Sequence, residues 1–260
     1  MGSEMCIRDR CWGYQGYGAT GFWQQFGNSG WPTYVKSAFT DATTYASSPD
    51  LTNVVSITAG IYGTCSLLAD GKVKCWGQSG GKEGDGVGYV TECTSSDITV
   101  SCGTTNGVPI SDIKQINMSG QFACGIKNDA EESMYCWGAN RDGTFANGNQ
   151  NVATLYPQKA GSSVFHAKAL GTGSQSGCGL FQNGANVLAT SGGIVKCWGN
   201  NQAGSLGNGG TAGVPLAGYS ASDVVGITNA ITIAGGQSSY CSLLLDETVK
   251  CWGPNNNNMF

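Results

Sequence analysis

Cys65-Ser66-Leu67-Leu68-Ala69-Asp70-Gly71-Lys72-Val73-Lys74-Cys75-Trp76-Gly77 reads as a β-hairpin closed by its own cysteines. Two short arms flank Ala69-Asp70-Gly71, a three-residue loop with glycine at the left-handed position. Counting outward from the loop sets Leu68 against Lys72, Leu67 against Val73, Ser66 against Lys74 and Cys65 against Cys75. Pair types alternate along an antiparallel ladder. If Leu68 and Lys72 exchange hydrogen bonds, the cysteines fall at a non-hydrogen-bonded site, with α-carbons roughly 4.5 Å apart. That is inside the ~4.4–6.8 Å that a disulfide bridges.

The tripeptide ending this stretch recurs five times: Cys11-Trp12-Gly13, Cys75-Trp76-Gly77, Cys136-Trp137-Gly138, Cys197-Trp198-Gly199 and Cys251-Trp252-Gly253. Two rare residues recurring at intervals of 64, 61, 61 and 54 residues mark a repeat array. A second cysteine precedes four of the copies, at Cys65, Cys124, Cys178 and Cys241. Ahead of each lies a short apolar alternation ending in glycine, such as Val55-Ser56-Ile57-Thr58-Ala59-Gly60 and Ile231-Thr232-Ile233-Ala234-Gly235. An Asn/Gly-rich stretch follows the tripeptide, clearest in Asn200-Asn201-Gln202-Ala203-Gly204-Ser205-Leu206-Gly207-Asn208-Gly209. Each unit therefore reads strand, glycine turn, strand, turn, strand, Gly-rich loop and a fourth strand. No helical period is sustained anywhere.

The chain has 12 cysteines and one histidine. The pairs expected are Cys65 with Cys75, Cys93 with Cys102, Cys124 with Cys136, Cys178 with Cys197 and Cys241 with Cys251. The second of these lies in an insertion, 78–102, that the other units lack. Cys11 is expected to have had its partner upstream, and Cys6 sits in a leader, residues 1–10, that does not fit the repeat and reads as an adaptor-derived scar. Structural disulfides imply an oxidising compartment, each short loop contributing roughly 2–3 kcal/mol in the chain-entropy model. Buried free thiols and metal ligation are the other readings. Structural zinc wants close C-x2–4-C pairs, whereas these pairs are nine or more residues apart. Charged residues make up 12% of the chain, its net charge is −4, and it has no basic run, which argues against nucleic acid as partner. No apolar stretch approaches the ~18 residues of a membrane span.

The unit apolar-x-apolar-x-Gly, then Cys-x-Leu-Leu-x-Asp-Gly-x-Val-x-Cys-Trp-Gly, then Asn-x-x-Gly-x-Leu-Gly-x-Gly resembles the regulator-of-chromosome-condensation repeat. The similarity is to its cysteine-paired variety, found in secreted and surface proteins. It runs from Cys11 to Asn258, most specifically over 65–77, 178–209 and 241–253, and more weakly over 78–108. The resemblance implies an all-β fold, a β-propeller of four-stranded antiparallel blades, seven to the ring. The units number fewer than that, so the chain is expected to be a fragment whose missing blades are partners. The expected division is a leader 1–10, a partial blade 11–50, blades 51–112, 113–168 and 169–224, and a partial blade 225–260. Stacking such sheets radially buries both faces of each. Trp12, Trp76, Trp137, Trp198 and Trp252 are then the expected interblade core. Two departures matter. Many members carry a histidine two residues before the first cysteine, where this chain has Gly63, Phe122, Ser176 and Ser239. The charged nucleotide-exchange surface of nuclear members has no recognisable counterpart.

Motifs that suggest chemistry fail on context. Gly77-Gln78-Ser79-Gly80-Gly81 matches a nucleophile elbow but lacks the buried strand and helix. Gly16-Tyr17-Gly18-Ala19-Thr20-Gly21 matches a dinucleotide fingerprint without the helix that would hold the pyrophosphate. His166 reads as structural or as a surface group. The acidic tip 128–132 could hold calcium weakly, but a solvated turn fits it better. Asn117-Met118-Ser119 is a glycosylation sequon in an expected inner strand, where burial would block modification.

No catalytic, cofactor-binding or metal residue is therefore expected, and the chain reads as a non-enzyme. The function expected is extracellular or cell-surface binding of a protein or glycan through loops on a propeller face. The tips 127–133 and 181–193 are placed on one face and the insertion 78–102 on the other. Tyr17, Phe22, Trp23, Trp31 and Tyr89 are loose aromatics suited to an interface. The alternatives are an intracellular regulator such as a guanine-nucleotide exchange factor for a small GTPase, and the non-catalytic part of a larger adhesin or enzyme.

Overall fold

The structure is a computed structural model that describes residues 10–14, 28–36, 46–60, 63–77, 91–92, 110–120, 122–149, 154–161, 164–182, 192–201, 204–210 and 220–255. Among the described residues, every regular element of note is a strand. β1 (Arg10–Tyr14) pairs with β2 (Asn28–Tyr34). β3 (Val54–Ala59), β4 (Gly63–Leu68), β5 (Val73–Gly77) and β6 (Thr91–Glu92) form a four-stranded sheet in chain order. β7 (Ile113–Ser119), β8 (Phe122–Lys127), β9 (Met134–Gly138) and β10 (Thr154–Lys159) form the next. β11 (Ala167–Thr172), β12 (Ser176–Gln182), β13 (Gly193–Gly199) and β14 (Ser222–Asp223) repeat the pattern. β15 (Ala230–Gly235), β16 (Tyr240–Leu244) and β17 (Val249–Trp252) follow, joined to β13 by the pair Gly193 and Ala230. All pairings are antiparallel.

The hairpin register follows from the loop. Cys65 faces Cys75, Ser66 faces Lys74 and Leu67 faces Val73, and the Leu68 N–H donates to the Lys72 carbonyl at 2.8 Å. Gly71 has φ +79°, the left-handed turn position. The longer hairpins keep the same core pairing, Cys124 with Cys136 and Cys178 with Cys197.

Second strands are buried on both faces: all six residues of β4 are buried, and β8 and β12 expose at most their last residue. First strands lie beside one another in sequence, β3 by β7, β7 by β11 and β11 by β15. Side-chain bonds tie them. The Met118 N–H donates to Thr58 Oγ1 at 2.8 Å. Asn117 Nδ2 donates to the Leu170 carbonyl at 2.9 Å, and Thr172 Oγ1 donates to Asn117 Oδ1 at 2.6 Å. Sheets whose inner strands neighbour one another and whose faces stack are the radial arrangement of a propeller.

The Cys-Trp-Gly tripeptide builds each interface by alternation. Adjacent strand residues point to opposite faces, so the cysteine faces the next sheet and the tryptophan the preceding one. Trp137 packs with Cys65, Leu67, Val73 and Cys75 of the sheet before it. Trp198 packs with Cys124, Ile126, Met134 and Cys136, and Trp252 lies against the group of Cys178, Leu180, Val195 and Cys197. Trp76 is clustered with Val35, Leu51, Leu68 and Cys11. The glycine turns the chain away: Gly138, Gly199 and Gly253 have φ of 97°, 95° and 108°, and a Cβ on Gly199 would sit 2.7 Å from the Gln175 carbonyl oxygen.

Two expectations from the sequence are adjusted. The segment 78–102 is not one uninterrupted insertion, since Thr91–Glu92 form β6 and pair with Lys74 and Cys75. A fourth strand needs only two residues of free ladder, and that signal is too short to read from sequence. β11 begins at Ala167, so the sheet starts ahead of residue 169.

Candidate interaction face

In a four-stranded meander, the tip between second and third strands lies on the same side as the lead into the next sheet. Among the described residues the tips are at 69–72, 128–133 and 245–248, and the leads end at Asn53, Asp112, His166 and Asn229. Tip and lead are bonded. The Ala69, Asn128 and Leu245 N–H groups donate to the carbonyls of Asn53, Asp112 and Asn229. Between sheets, the Ile113 N–H donates to the Gly71 carbonyl at 3.0 Å and the His166 N–H to the Glu131 carbonyl at 3.1 Å. Asn53, Asp112 and His166 have φ of 60°, 59° and 63°, residue types that tolerate the left-handed region. His166 thus fills a backbone role, and its side chain is 62% exposed.

The tip between β8 and β9 carries a bound set of charges. Lys114 of β7 and Lys168 of β11 both donate to the Glu132 carboxylate, whose side chain is 17% exposed. His166 Nδ1 lies 3.9 Å from the same carboxylate. Burial raises the Glu132 pKa, but the hydrogen bonds from Lys114 and Lys168 outweigh it and hold it below its ordinary value. Glu131 pairs with Lys159 at 3.0 Å, which raises the Lys159 pKa, and Lys159 stands 4.8 Å from the Phe165 ring centroid. The Ser133 hydroxyl and N–H both donate to Asp129 and lower its pKa. Each of the three acids in the segment considered for calcium is thus engaged by the protein itself. Among the described residues, no group of three or more His, Cys, Asp or Glu side chains could hold a metal ion.

The opposite side carries the glycine turns and the Asn/Gly loops. Asn201 Oδ1 accepts from the Leu206 N–H at 3.0 Å and Nδ2 donates to the Gly210 carbonyl at 3.2 Å. Asn140 does the same one repeat earlier, with the Phe145 N–H at 3.0 Å and the Asn149 carbonyl at 3.2 Å. Each buried asparagine drives one apolar plug, Leu206 or Phe145, into the core. Reading residues for chemistry passed over these asparagines; the Asn-x-x-Gly-x-Leu-Gly spacing was their signal.

Among the described residues, four disulfides join Cys65 to Cys75, Cys124 to Cys136, Cys178 to Cys197 and Cys241 to Cys251, with α-carbons 4.0–4.1 Å apart. Cys93 and Cys102 lie outside the described residues, as do Tyr17, Phe22, Trp23, Tyr89, the fingerprint at 16–21 and residues 78–81 of the serine motif. Trp76, Trp137 and Trp198 are 2%, 1% and 0% exposed. Trp252 is half-buried and stacks on Tyr240 at 5.9 Å between centroids. Trp12 belongs to β1. The Tyr240 hydroxyl, 2.7 Å from Ser176 Oγ, is fully enclosed, and burial raises its pKa despite that bond. Asn117 of the sequon spends its amide between β7 and β11. Among the described residues, no helix is long and apolar enough to cross a membrane.

Residues 54–81, β3 through β5, match the family profile described as Regulator of chromosome condensation (RCC1) repeat. No curated protein sequence matches the chain. Prp20p from Saccharomyces cerevisiae, studied with its binding properties to Gsp1p and histones, is similar in structure. It aligns at TM-score 0.65 and 18% identity over 96% of this chain and 54% of its own. Yeast RCC1 (Prp20) in complex with Kap60 gives TM-score 0.64 and 18% identity over 95% and 52%. Human WBSCR16 gives 0.57 and 17% over 80% and 50%. The chain spans about half the length of these structures. Its fold is an all-β propeller of antiparallel sheets with disulfide-paired hairpins, and one of its units, 54–81, matches the regulator-of-chromosome-condensation repeat.

Proposed function

We propose that the chain is a non-enzymatic, extracellular or cell-surface module that binds a protein or a glycan through the hairpin-tip face. The observation that carries this is the division of labour within each repeat. The described cysteine and tryptophan side chains go into hairpins and interfaces, while the tips present bonded charges such as Lys114, Glu132, Lys168 and Lys159. Preorganised polar groups on loops recognise partners at small ordering cost. Four hairpin disulfides support an oxidising compartment.

The test is to produce the chain by a secretory route, verify its disulfides by mass without reductant, and screen it against panels of extracellular domains and glycans. Specific binding that is weakened by Lys159→Glu, with stability unchanged, is the expected result. Binding indifferent to every tip change would overturn the assignment of the face.

The likeness to Prp20p favours a second reading, an intracellular regulator acting on a GTPase. Accelerated nucleotide release from a small GTPase, together with free thiols in the protein as expressed in the cytosol, would replace the first reading with this one.

A further inference from the structure

Two Asn-Gly steps occupy the same place in consecutive Asn/Gly loops. Asn147-Gly148 follows the buried Asn140 at the interval at which Asn208-Gly209 follows the buried Asn201. The loops are built alike. Asn147 Oδ1 accepts from the Asn149 N–H at 3.1 Å, and Asn208 Oδ1 accepts from the Gly210 N–H at 3.0 Å. Gly148 and Gly209 have φ of 82° and 84° and are exposed, while both asparagines are half-buried. One bond distinguishes them. Asn201 Nδ2 donates to Asn208 Oδ1 at 3.2 Å as well as to the Gly210 carbonyl. Among the described residues, Asn140 Nδ2 donates to the Asn149 carbonyl and leaves Asn147 with the single Asn149 N–H.

We propose that Asn147 deamidates through a succinimide in the folded protein, and that the bond from Asn201 protects Asn208 from the same reaction. Glycine places no side chain beside its own nitrogen, so the Gly148 nitrogen is open to attack Cγ of Asn147. The new N–Cγ bond closes the ring, the Cγ–Nδ2 bond breaks, and Nδ2 leaves as ammonia with the proton that the Gly148 nitrogen gives up. Water then opens the ring. Opening at Cγ gives aspartate, and opening at the main-chain carbonyl gives isoaspartate, with the chain routed through Cβ and Cγ. Ring closure requires Cγ to swing onto the following nitrogen. At Asn147 that motion breaks one bond, from a backbone N–H at the surface. At Asn208 it also breaks the bond from Asn201, whose Oδ1 holds the Leu206 N–H beneath the loop. Isoaspartate at 147 lengthens the main chain between Ala146, already at φ 51°, and Asn149, whose carbonyl anchors Asn140. Asn140 in turn holds the Phe145 N–H, so the modification loosens the seat of that buried ring. The site is independent of the hairpin-tip reading, since these loops lie on the other side of the molecule.

The experiment is to incubate the whole oxidised chain at mildly alkaline pH, folded in one sample and in guanidinium in another. Peptide mass spectrometry over time, with fragmentation that separates aspartate from isoaspartate, gives the rate at each asparagine. In the folded sample Asn147 should convert about fivefold faster than Asn208, the factor supplied by one further hydrogen bond to break. In guanidinium the two rates should converge, because both sites are then plain Asn-Gly steps. An unmodified Asn147 in the folded sample while the guanidinium sample converts would overturn the proposal. So would Asn208 converting as fast as Asn147 in the folded protein, or a rate difference that persists in guanidinium.

Discussion

Trp137 and Trp198 occupy equivalent sites but differ in one bond. Trp198 Nε1 donates to the Thr144 carbonyl at 2.9 Å, whereas Trp137 Nε1 is buried without a hydrogen-bond partner among the described residues. Replacing either by alanine should cost about 3–5 kcal/mol through lost packing. Phenylalanine separates them. Trp198→Phe leaves the Thr144 carbonyl unpaired, a penalty of about 1–3 kcal/mol, while Trp137→Phe removes an indole N–H that was already unsatisfied. Melting curves should therefore rank Trp198→Phe below Trp137→Phe, and equal shifts would sink the assignment of that bond. A second residue-level contrast lies in the Asn/Gly loops. Ala146 sits at φ 51°, where the next repeat has Gly207 at φ 60°. A left-handed alanine costs roughly 1–2 kcal/mol, partly offset by the extra freedom glycine has when unfolded. Ala146→Gly should raise stability by up to about 1 kcal/mol. Gly207→Ala should lower it, since its Cβ would meet the Val224 and Trp252 side chains at 2.8 Å; chemical denaturation of both variants checks the pair.

Hairpins are the elements on which the disulfides act, and loop length distinguishes them. Cys65–Cys75 spans 10 residues and Cys178–Cys197 spans 19, with both bridges buried. In the chain-entropy model a doubling of loop length adds about 0.6 kcal/mol. Replacing Cys178 and Cys197 together by serine should therefore destabilise by roughly half a kcal/mol more than replacing Cys65 and Cys75. The reverse order in urea titrations would mean that packing against the following tryptophan, not loop closure, dominates each bridge. The hairpin register itself was legible because turn type and loop length dictate it. β6 was not, because two residues of strand carry no periodic signal.

At the scale of the whole molecule, interfaces between sheets hold the array together, and one of them is sensitive to acid. Glu132 joins Lys114 of one sheet to Lys168 of the next. Its folded pKa lies below the ordinary 4.5, so its contribution is present above that value and is lost as pH falls through the lowered folded value. Glu132→Gln should lower the melting temperature near neutral pH and narrow its gap to wild type as pH drops below the carboxylate range of about 4. A gap that stays constant down to acid would show that the carboxylate does not bridge the sheets. High salt should weaken the link less than it would an exposed pair, because Glu132 is largely buried.

The spacing of Cys65, Asp70-Gly71 and Cys75 was enough to determine the hairpin, and five Cys-Trp-Gly copies were enough to determine a repeat array. Both rest on local rules, strand alternation and turn geometry, that act over about ten residues or through simple recurrence. Tertiary structure alone decided which side chains meet across sheets. Nothing in the local spacing says that Glu132 meets Lys114 and Lys168, or that Asn117 spans to Leu170. Those outcomes depend on how one sheet is laid against the next, and that is set by the sum of many weak packing contacts rather than by any one residue's preference.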